Sequence, residues 1–193
     1  MSRPNWTVKD ENGQDQWISR SVVVIPIVFK YDLNTNGIHC LLEKRGPTVT
    51  HTGEWCCPCG YIDWDESLEE ACAREVYEET GVKLNKDMIH FFEVATDKYS
   101  KSQSVDLWYE CWVDDSVDIN TDTKQYIQTP DEVEEVKWLK VADIKMGSDG
   151  MDDLFIHSAD IMNGFGKWAF KSHHKHIITM LNSRFRKFCN IKV

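Results

Sequence analysis

Three carboxylates at helical spacing are the part of this sequence best suited to chemistry. Glu75, Glu78 and Glu79 lie in the stretch "ESLEEACAREVYEETG", which predicts a helix over 67–80. At relative spacings of three and four residues, their side chains are neighbours on one side of a helix. Oxygen-rich clusters prefer hard cations such as Mg²⁺, which binds through a few carboxylates together with the phosphates of a substrate. The spacing therefore points to a divalent metal site.

The apolar side of the same helix argues against a charge run that merely faces water. At about 100° per residue, one apolar stripe contains Leu68, Ala71, Cys72 and Val76. Glu75 and Glu79 fall inside this stripe, and inward carboxylates are costly unless a cation compensates them. Arg74 is expected to compensate only one carboxylate, because it lies about 80–100° round the helix from Glu75 and Glu79. A solvated outer face is the usual alternative for such a run.

The net negative charge of the chain favours a phosphate ligand that is bound through a metal cation. A formal net charge of −10 argues against a broad basic surface for nucleic acid, whose binding depends on neutralised phosphates. A diphosphate approaching an acidic protein needs a cation such as Mg²⁺ or Mn²⁺ to offset the repulsion. Such an ion also lowers the pKa of a bound water so that hydroxide can attack phosphorus, and a free carboxylate can take the proton.

A cysteine cluster lies just before the acidic helix. Cys56, Cys57 and Cys59 stand within "EWCCPCGYID", in a chain with an odd total of seven cysteines. Structural zinc normally needs four nitrogen or sulfur ligands, and no second cysteine or histidine pair follows at finger-like spacing. The odd count also argues against a disulfide framework. We therefore expect these residues to pack at the end of a strand.

The elements that must position the acidic helix are mostly strands. The β-branched and alternating stretches predict strands at 18–29, 37–45, 88–97, 104–113 and 134–141, with a short strand entering a turn at Gly60. Two further helices are predicted over 151–163 and 173–188.

Composition and hydropathy predict one domain over residues 1–193, with a core of about 17–145 and C-terminal helices within 151–188. The chain is 41% hydrophobic and 28% charged, which is ordinary for a globular protein. No apolar run approaches the roughly 20 residues that cross a bilayer, and the N-terminus lacks the apolar stretch of a secretory signal. We expect a cytoplasmic protein with no membrane partner.

Residues 60–82, "GYIDWDESLEEACAREVYEETGV", resemble the Nudix box, G-x5-E-x7-R-E-U-x-E-E-x-G-U, in which U is a bulky aliphatic residue. Every fixed position of the pattern is met, by Gly60, Glu66, Arg74, Glu75, Val76, Glu78, Glu79, Gly81 and Val82. A match of this length is far more specific than a lone glycine-rich triplet. The chain is thus identified as a member of the MutT-like Nudix family.

This resemblance implies a fold and an activity. The fold is the Nudix fold, of the α/β (α+β) class, with a mixed β-sheet sandwiched between α-helices. The box forms a loop, a helix and a second loop that bind Mg²⁺ or Mn²⁺. The implied reaction is hydrolysis of a nucleoside diphosphate linked to another group, written NDP-X, such as ADP-ribose or a nucleotide sugar.

Roles for individual residues are implied by position in the box. The implied catalytic set is Glu66, Arg74, Glu75, Glu78 and Glu79. Glu78 and Glu79 would be metal ligands, with Glu75 a further ligand or the base. The carbonyl of Gly60 would be an extra ligand. Glu66 and Arg74 would organise the loop and helix as an ion pair.

Three residues outside the box are candidates for substrate binding. The acidic "PDEVEEV" offers Glu132, Glu134 and Glu135, since some families add a glutamate from a distant loop, and Glu135 is taken as the candidate; a strand entry that faces water is the alternative. Trp108 could stack on a base, although an alternating aromatic on a strand commonly belongs to the core. His157, in "DDLFIHSADIM", could wall the pocket, with packing or capping as the alternative.

Two other functions remain open on the same fold. One is a non-catalytic nucleotide-binding regulator, which commonly lacks box glutamates that this chain keeps. The other is an enzyme of the isopentenyl-diphosphate isomerase type, which needs a reactive cysteine. In each case the expected partner is a small phosphorylated molecule and no nucleic acid, and a homodimer stays open because dimers are the commonest oligomers.

Overall fold

The computed structural model describes residues 6–18, 20–96, 104–146, 152–158, 161 and 166–189. Its strands are β1 (Trp6–Lys9), β2 (Asp15–Ile18), β3 (Val22–Asp32), β4 (Gly37–Arg45), β5 (Trp55–Cys56), β6 (Gly60–Tyr61), β7 (Ile89–Thr96), β8 (Val105–Val113), β9 (Val133–Met146) and β10 (Asp152–Ile156). Its helices are α1 (Leu68–Thr80) and α2 (Lys171–Cys189), beside single 3-10 turns at Lys86–Met88 and Lys124–Tyr126.

One mixed sheet organises the chain. Its strand order is β10-β9-β4-β3-β8-β7, with the short β5 paired to β4 and the short β6 paired to β3. β3 and β8 run parallel, and the other pairs are antiparallel. β1 and β2 form a separate antiparallel hairpin. The mixed sheet confirms the expectation from the sequence.

Alternation along β3 and β4 separates two apolar layers. On β3, Val24 and Val28 pack against the buried side of α1, whereas Ile25 and Ile27 belong to the layer beneath α2. The α2 layer is completed by three fully buried residues of that helix: Ile177, Met180 and Leu181. Because successive strand residues point to opposite faces, one sheet supports a helix on each side. The predicted sandwich of a mixed sheet between helices is confirmed.

The predicted helix over 151–163 is wrong in its first part. Asp152–Ile156 is strand β10, which pairs antiparallel with Ala142–Met146 of β9. Leu154 and Ile156 pack against the core while Phe155 between them is exposed, which is the two-residue period of a strand. Ser158 and Ile161 are helical, and the rest of that prediction lies outside the described residues.

The helices that the structure describes include none long and apolar enough to cross a bilayer.

Candidate metal centre

Both ends of α1 are fixed by local sequence. Ser67 is the N-cap residue, its side chain accepts a hydrogen bond from the Glu70 N–H, and the Glu70 carboxylate accepts one from the Ser67 N–H. This reciprocal pair is a capping box. Gly81 ends the helix in the left-handed region with φ 73°, and its N–H donates to the Tyr77 carbonyl. Only glycine adopts that conformation without strain, so the helix begins and ends where the sequence predicts.

The inward face of α1 carries carboxylates as well as apolar side chains. Ala71, Cys72 and Val76 are fully buried, as expected, while Leu68 at the helix start is exposed. Glu75 and Glu79 are only 8% and 6% exposed. Both therefore point inward, and α1 does not present them as a solvated charged face.

Arg74 gathers the acidic side chains of the box. Its Nε and Nη2 bind the two carboxylate oxygens of Glu66 at 3.0 and 2.7 Å. Its Nη1 binds Glu75 at 2.8 Å and Glu78 at 3.2 Å, and Nη2 also donates to the Tyr61 carbonyl at 2.9 Å. The expectation that Arg74 compensates one carboxylate was wrong, because the planar guanidinium has separate donors for several partners. The hydrogen bond from Arg74 lowers the pKa of Glu66.

Glu79 lies deeper than the other box carboxylates. Its Oε2 accepts a hydrogen bond from the Cys59 N–H at 2.9 Å. Burial raises the pKa of Glu79 well above its ordinary value, and the neighbouring Glu43 raises it further. Burial also raises the pKa of Glu75, although Arg74 opposes that shift. These two groups are therefore carboxyls short of positive charge, the condition in which a cation binds favourably.

Glu43 on β4 belongs to this cluster and was missed by the sequence analysis. Its side chain is 1% exposed, its Oε1 accepts from the Cys56 thiol at 3.1 Å, and burial raises its pKa to about 7. Arg45 Nη1 lies 3.8 Å from the same Oε1. The signal was present, because Glu43 has the same parity along β4 as Leu41, which packs against α1.

A cleft of about 340 Å³ opens beside these carboxylates. Its lining includes Arg45, Gly60, Arg74, Glu75, Glu79 and Glu132. A side chain at Gly60 would collide with the carboxylate of Glu75, since an added Cβ would lie 2.0 Å from Glu75 Oε1. The missing Cβ therefore lets the Glu75 carboxylate lie against the backbone at the entrance of the box.

The donor set fits a hard divalent cation. Within the described ranges, no three His, Cys, Asp or Glu side chains are already arranged to hold an ion, since Arg74 binds Glu75 and Glu78. The available donors are carboxylate oxygens and the Gly60 backbone, the ligand types that Mg²⁺ and Mn²⁺ take. Glu43 Oε2 is buried without a hydrogen-bond partner among those same residues, which leaves one oxygen uncompensated.

The cysteines around the cleft are mostly inaccessible. Cys56 and Cys57 are fully buried, and burial raises the pKa of both thiols well above their ordinary values. Cys59 is half-buried and lines the cleft. The Cys57 N–H donates to His173 Nδ1 at 3.0 Å, which ties α2 to the segment leading into the box.

The C-terminal end of α1 is held by a distant loop. The Gln128 N–H donates to the Glu78 carbonyl at 2.8 Å, and the Thr129 hydroxyl lies 3.4 Å from the same oxygen. This contact fixes the backbone of Glu78, whose side chain is a candidate ligand.

Trp108 is not among the residues that line the cleft, and its contact with a base stays a prediction. It is 0% exposed and stacks on His176 with ring centroids 3.6 Å apart. His173 covers another side of the indole as an edge-on ring at 5.3 Å. The alternative of a core aromatic describes its position. These two histidines of "SHHKH" accordingly pack against the core.

Glu135 and His157 also lie apart from the residues that line the cleft. Glu135 is exposed on β9, where it pairs in register with Lys44, and Glu132 three residues earlier lines the cleft instead. Glu132 precedes the first residue of β9, so the alternation along that strand gave no basis for placing it. His157 follows β10, with its Nε2 2.9 Å from Asp143 Oδ2.

The structure thus combines a mixed sheet between two helices with a capped acidic helix that follows the short strand β6. A NUDIX domain profile matches residues 20–157, which is more than half of the chain. The protein belongs to the Nudix family.

Sequence relatives match over short stretches. The human NAD-capped RNA hydrolase NUDT12 is 40% identical over 63 residues, which cover 32% of this chain and 13% of that protein. The chain thus matches about an eighth of that relative's length.

Solved structures match over most of the chain. A MutT/nudix family protein from Enterococcus faecalis has a TM-score of 0.63 at 19% identity, covering 87% of this chain and 63% of that one. The NUDIX domain of Shewanella oneidensis NrtR, solved with ADP ribose, has a TM-score of 0.61 at 22% identity, covering 87% and 90%. These likenesses show that the fold is the Nudix fold.

Proposed function

We propose that the protein is a divalent-metal-dependent pyrophosphohydrolase that cleaves the diphosphate linkage of an NDP-X compound. The observation that carries this proposal is that Arg74, Glu75 and Glu79 converge on one cleft, with Glu66 and Glu78 held by Arg74. The ADP ribose bound by the Shewanella domain and the NAD cap named for the human relative both contain adenosine diphosphate joined to another group. That shared diphosphate supports the substrate class.

Glu75, Glu78, Glu79 and the Gly60 carbonyl would hold the cation, which is Mg²⁺ or Mn²⁺. When bound, the cation neutralises the diphosphate and acidifies a water ligand. Arg74 would position Glu66, Glu75 and Glu78 through its four short hydrogen bonds to them. A carboxylate of this set that does not bind the cation would accept the proton of the attacking water.

Arg45, which also lines the cleft, offers a group for phosphate. The Arg45 side chain is 12% exposed, and its Nε donates to the Thr50 carbonyl at 2.7 Å, which orients the guanidinium. A guanidinium fixed in this way can bind phosphate oxygens with little loss of freedom. A volume of about 340 Å³ is at the small end of ligand clefts, enough for a diphosphate and part of a nucleoside.

The test is hydrolysis of a panel of NDP-X compounds with Mg²⁺ or Mn²⁺ and with EDTA, with every product identified. Wild type should release a nucleoside monophosphate and a phosphorylated X only when the metal is present. Glu79→Gln should lose at least about 100-fold in kcat/KM, as expected when a metal-site group is removed. Glu69→Gln is the matched control, because Glu69 lies on α1 and is not among the residues lining the cleft.

Two outcomes would contradict the proposal. Tight nucleotide binding without turnover across the panel would indicate the regulator. Conversion of isopentenyl diphosphate into an isomer that keeps its diphosphate, with no phosphate or diphosphate cleaved off, would indicate the isomerase type. The latter would need a reactive thiol, for which the half-buried Cys59 is more accessible than the fully buried Cys56 and Cys57.

The partner in this proposal is a small nucleotide derivative. A net charge of −10 disfavours a broad nucleic-acid surface. A cytoplasmic location and a homodimer stay predictions.

A further inference from the structure

We propose that Glu43 on β4 is an additional carboxylate ligand of the cation site, so that the ion is held from the sheet as well as from α1. Glu43 occupies no position of the box pattern over residues 60–82. The inference rests on the proposed function, because it concerns the same cation.

The first reason is the burial of an unpartnered oxygen. Glu43 is 1% exposed, and its Oε2 meets no hydrogen-bond donor among the residues that the structure describes. A carboxylate inside a protein is stable only where a cation or several donors compensate it. Ordinary packing does not account for a glutamate at this position, since its neighbours on β4, Leu41 and Leu42, are apolar and fully buried.

The second reason is that the compensation within the chain is weak. The Cys56 thiol donates to Oε1 at 3.1 Å, and a thiol is a poor donor. The nearest positive group is Arg45 Nη1 at 3.8 Å, close to the limit of an ion pair. Arg45 is also committed to the Thr50 carbonyl through its Nε. Neither contact supplies Oε2 with a partner.

The third reason is the position of Glu43 against the box carboxylates. Glu43 and Glu79 accept hydrogen bonds from one short segment, Glu43 from the Cys56 thiol at 3.1 Å and Glu79 from the Cys59 N–H at 2.9 Å. Glu43 accordingly raises the pKa of Glu79. Glu79 lines the cleft, so Glu43 forms the layer immediately behind it. Two neighbouring buried carboxyls repel each other when both are ionised, and a shared hard cation converts this repulsion into a pair of favourable contacts.

The charge of Glu43 can be removed while its shape is kept. Glu43→Gln retains an oxygen that can accept from the Cys56 thiol, and Glu43→Asp retains the charge on a shorter side chain. Glu69→Gln removes one charge from α1 away from the cleft and is the matched control. Binding of Mn²⁺ to each purified full-length protein, without nucleotide, is measured by calorimetry and by electron paramagnetic resonance. Thermal unfolding is followed with and without Mn²⁺.

Glu43→Gln is expected to bind Mn²⁺ at least about tenfold more weakly than wild type, with a smaller rise in Tm on adding the ion. Without metal its Tm should equal or exceed that of wild type, because one of two like charges is gone. Glu43→Asp should bind Mn²⁺ more tightly than Glu43→Gln, and Glu69→Gln should bind as wild type does.

Wild-type affinity for Mn²⁺ in a folded Glu43→Gln protein would overturn the inference. If Glu43→Gln does not fold, the inference is tested by comparing the Mn²⁺ affinity and metal-free Tm of Glu43→Asp with those of wild type. Weaker Mn²⁺ binding by Glu43→Asp with a metal-free Tm equal to that of wild type supports a ligand. Wild-type affinity in Glu43→Asp, or a loss of affinity accompanied by a lowered metal-free Tm, overturns the inference. A wild type that hydrolyses NDP-X while Glu43→Gln binds Mn²⁺ normally overturns only this inference, and a wild type that binds no Mn²⁺ overturns the proposed function too.

Discussion

Acidification should destabilise this protein through one buried histidine. His173 on α2 is 2% exposed, and its Nδ1 accepts the Cys57 N–H at 3.0 Å. Burial lowers the pKa of the His173 imidazole from 6.5 to about 3, and the electrostatic effects of the neighbouring His176 and Arg45 act in the same direction. The folded protein therefore keeps this ring neutral at pH values where the unfolded chain would protonate it.

The size of this destabilisation follows from the difference between the pKa values of His173 in the unfolded and folded states. The unfolded chain binds a proton at His173 below pH 6.5, whereas the folded protein does so only near pH 3. The stabilising contribution is complete above pH 6.5 and is lost progressively as the pH falls towards 3. At about 1.4 kcal/mol per pH unit, lowering the pH to 5 should remove about 2 kcal/mol of the free energy of unfolding through His173 alone. Glu43 and Glu79, whose pKa values are raised in the folded protein, act in the opposite direction, so the effect of His173 is measured against a variant that lacks it.

Urea unfolding at pH 7 and pH 5 measures this loss. His173→Asn is the informative variant, because the asparagine Oδ1 can take the place of Nδ1 as acceptor for the Cys57 N–H without titrating. The fall in the free energy of unfolding between the two pH values should be about 2 kcal/mol larger for wild type than for His173→Asn. His90→Asn, an exposed substitution on β7, should behave as wild type. Equal losses in wild type and His173→Asn would refute the reasoning.

Two further substitutions test the geometry of the box. Gly60→Ala should weaken Mn²⁺ binding at least about tenfold, because the added Cβ would lie 2.0 Å from Glu75 Oε1 and displace that carboxylate; calorimetric titration checks this, and an unchanged affinity would contradict it. Arg74→Lys keeps the charge but loses the two-pronged bond to Glu66, and should lower the free energy of unfolding by about 1–3 kcal/mol. Urea unfolding of the metal-free protein measures that loss. Wild-type stability in the lysine variant would show that the two hydrogen bonds from Arg74 to the Glu66 carboxylate do not stabilise the fold.

Elements whose own residues determine them were predictable from the sequence. The strand predicted over 37–45 is β4, and the helix predicted over 67–80 is α1 with Ser67 as its N-cap. In both cases the apolar period and the end signals lie within the segment itself. β10 was predicted as a helix because "DDLFI" has only a weak secondary-structure preference of its own. Its pairing with β9, which the sequence does not show, makes it a strand.

The box carboxylates could be predicted for a similar reason, since one helical turn holds Glu75, Glu78 and Glu79. Glu43 and Glu132 reach the same site from other segments, and no spacing in the sequence relates them to α1. The position of Trp108 beneath His176 of α2 could not be predicted, because a buried strand and an exposed strand present the same alternating aromatics until the covering helix is known.

The hydrogen bond from Gln128 to the Glu78 carbonyl has a consequence for how this lineage can diverge. The nine fixed positions of the box tolerate little change, because most of them are a cap, an ion-pair partner or a candidate ligand. The loop that carries Gln128 has no such restriction, yet it bears on the backbone of one of those candidate ligands. Insertions and substitutions accumulating in that loop therefore offer evolution a way to retune the cation site and the selectivity of the cleft while the 23 residues of the box, 60–82, stay unchanged.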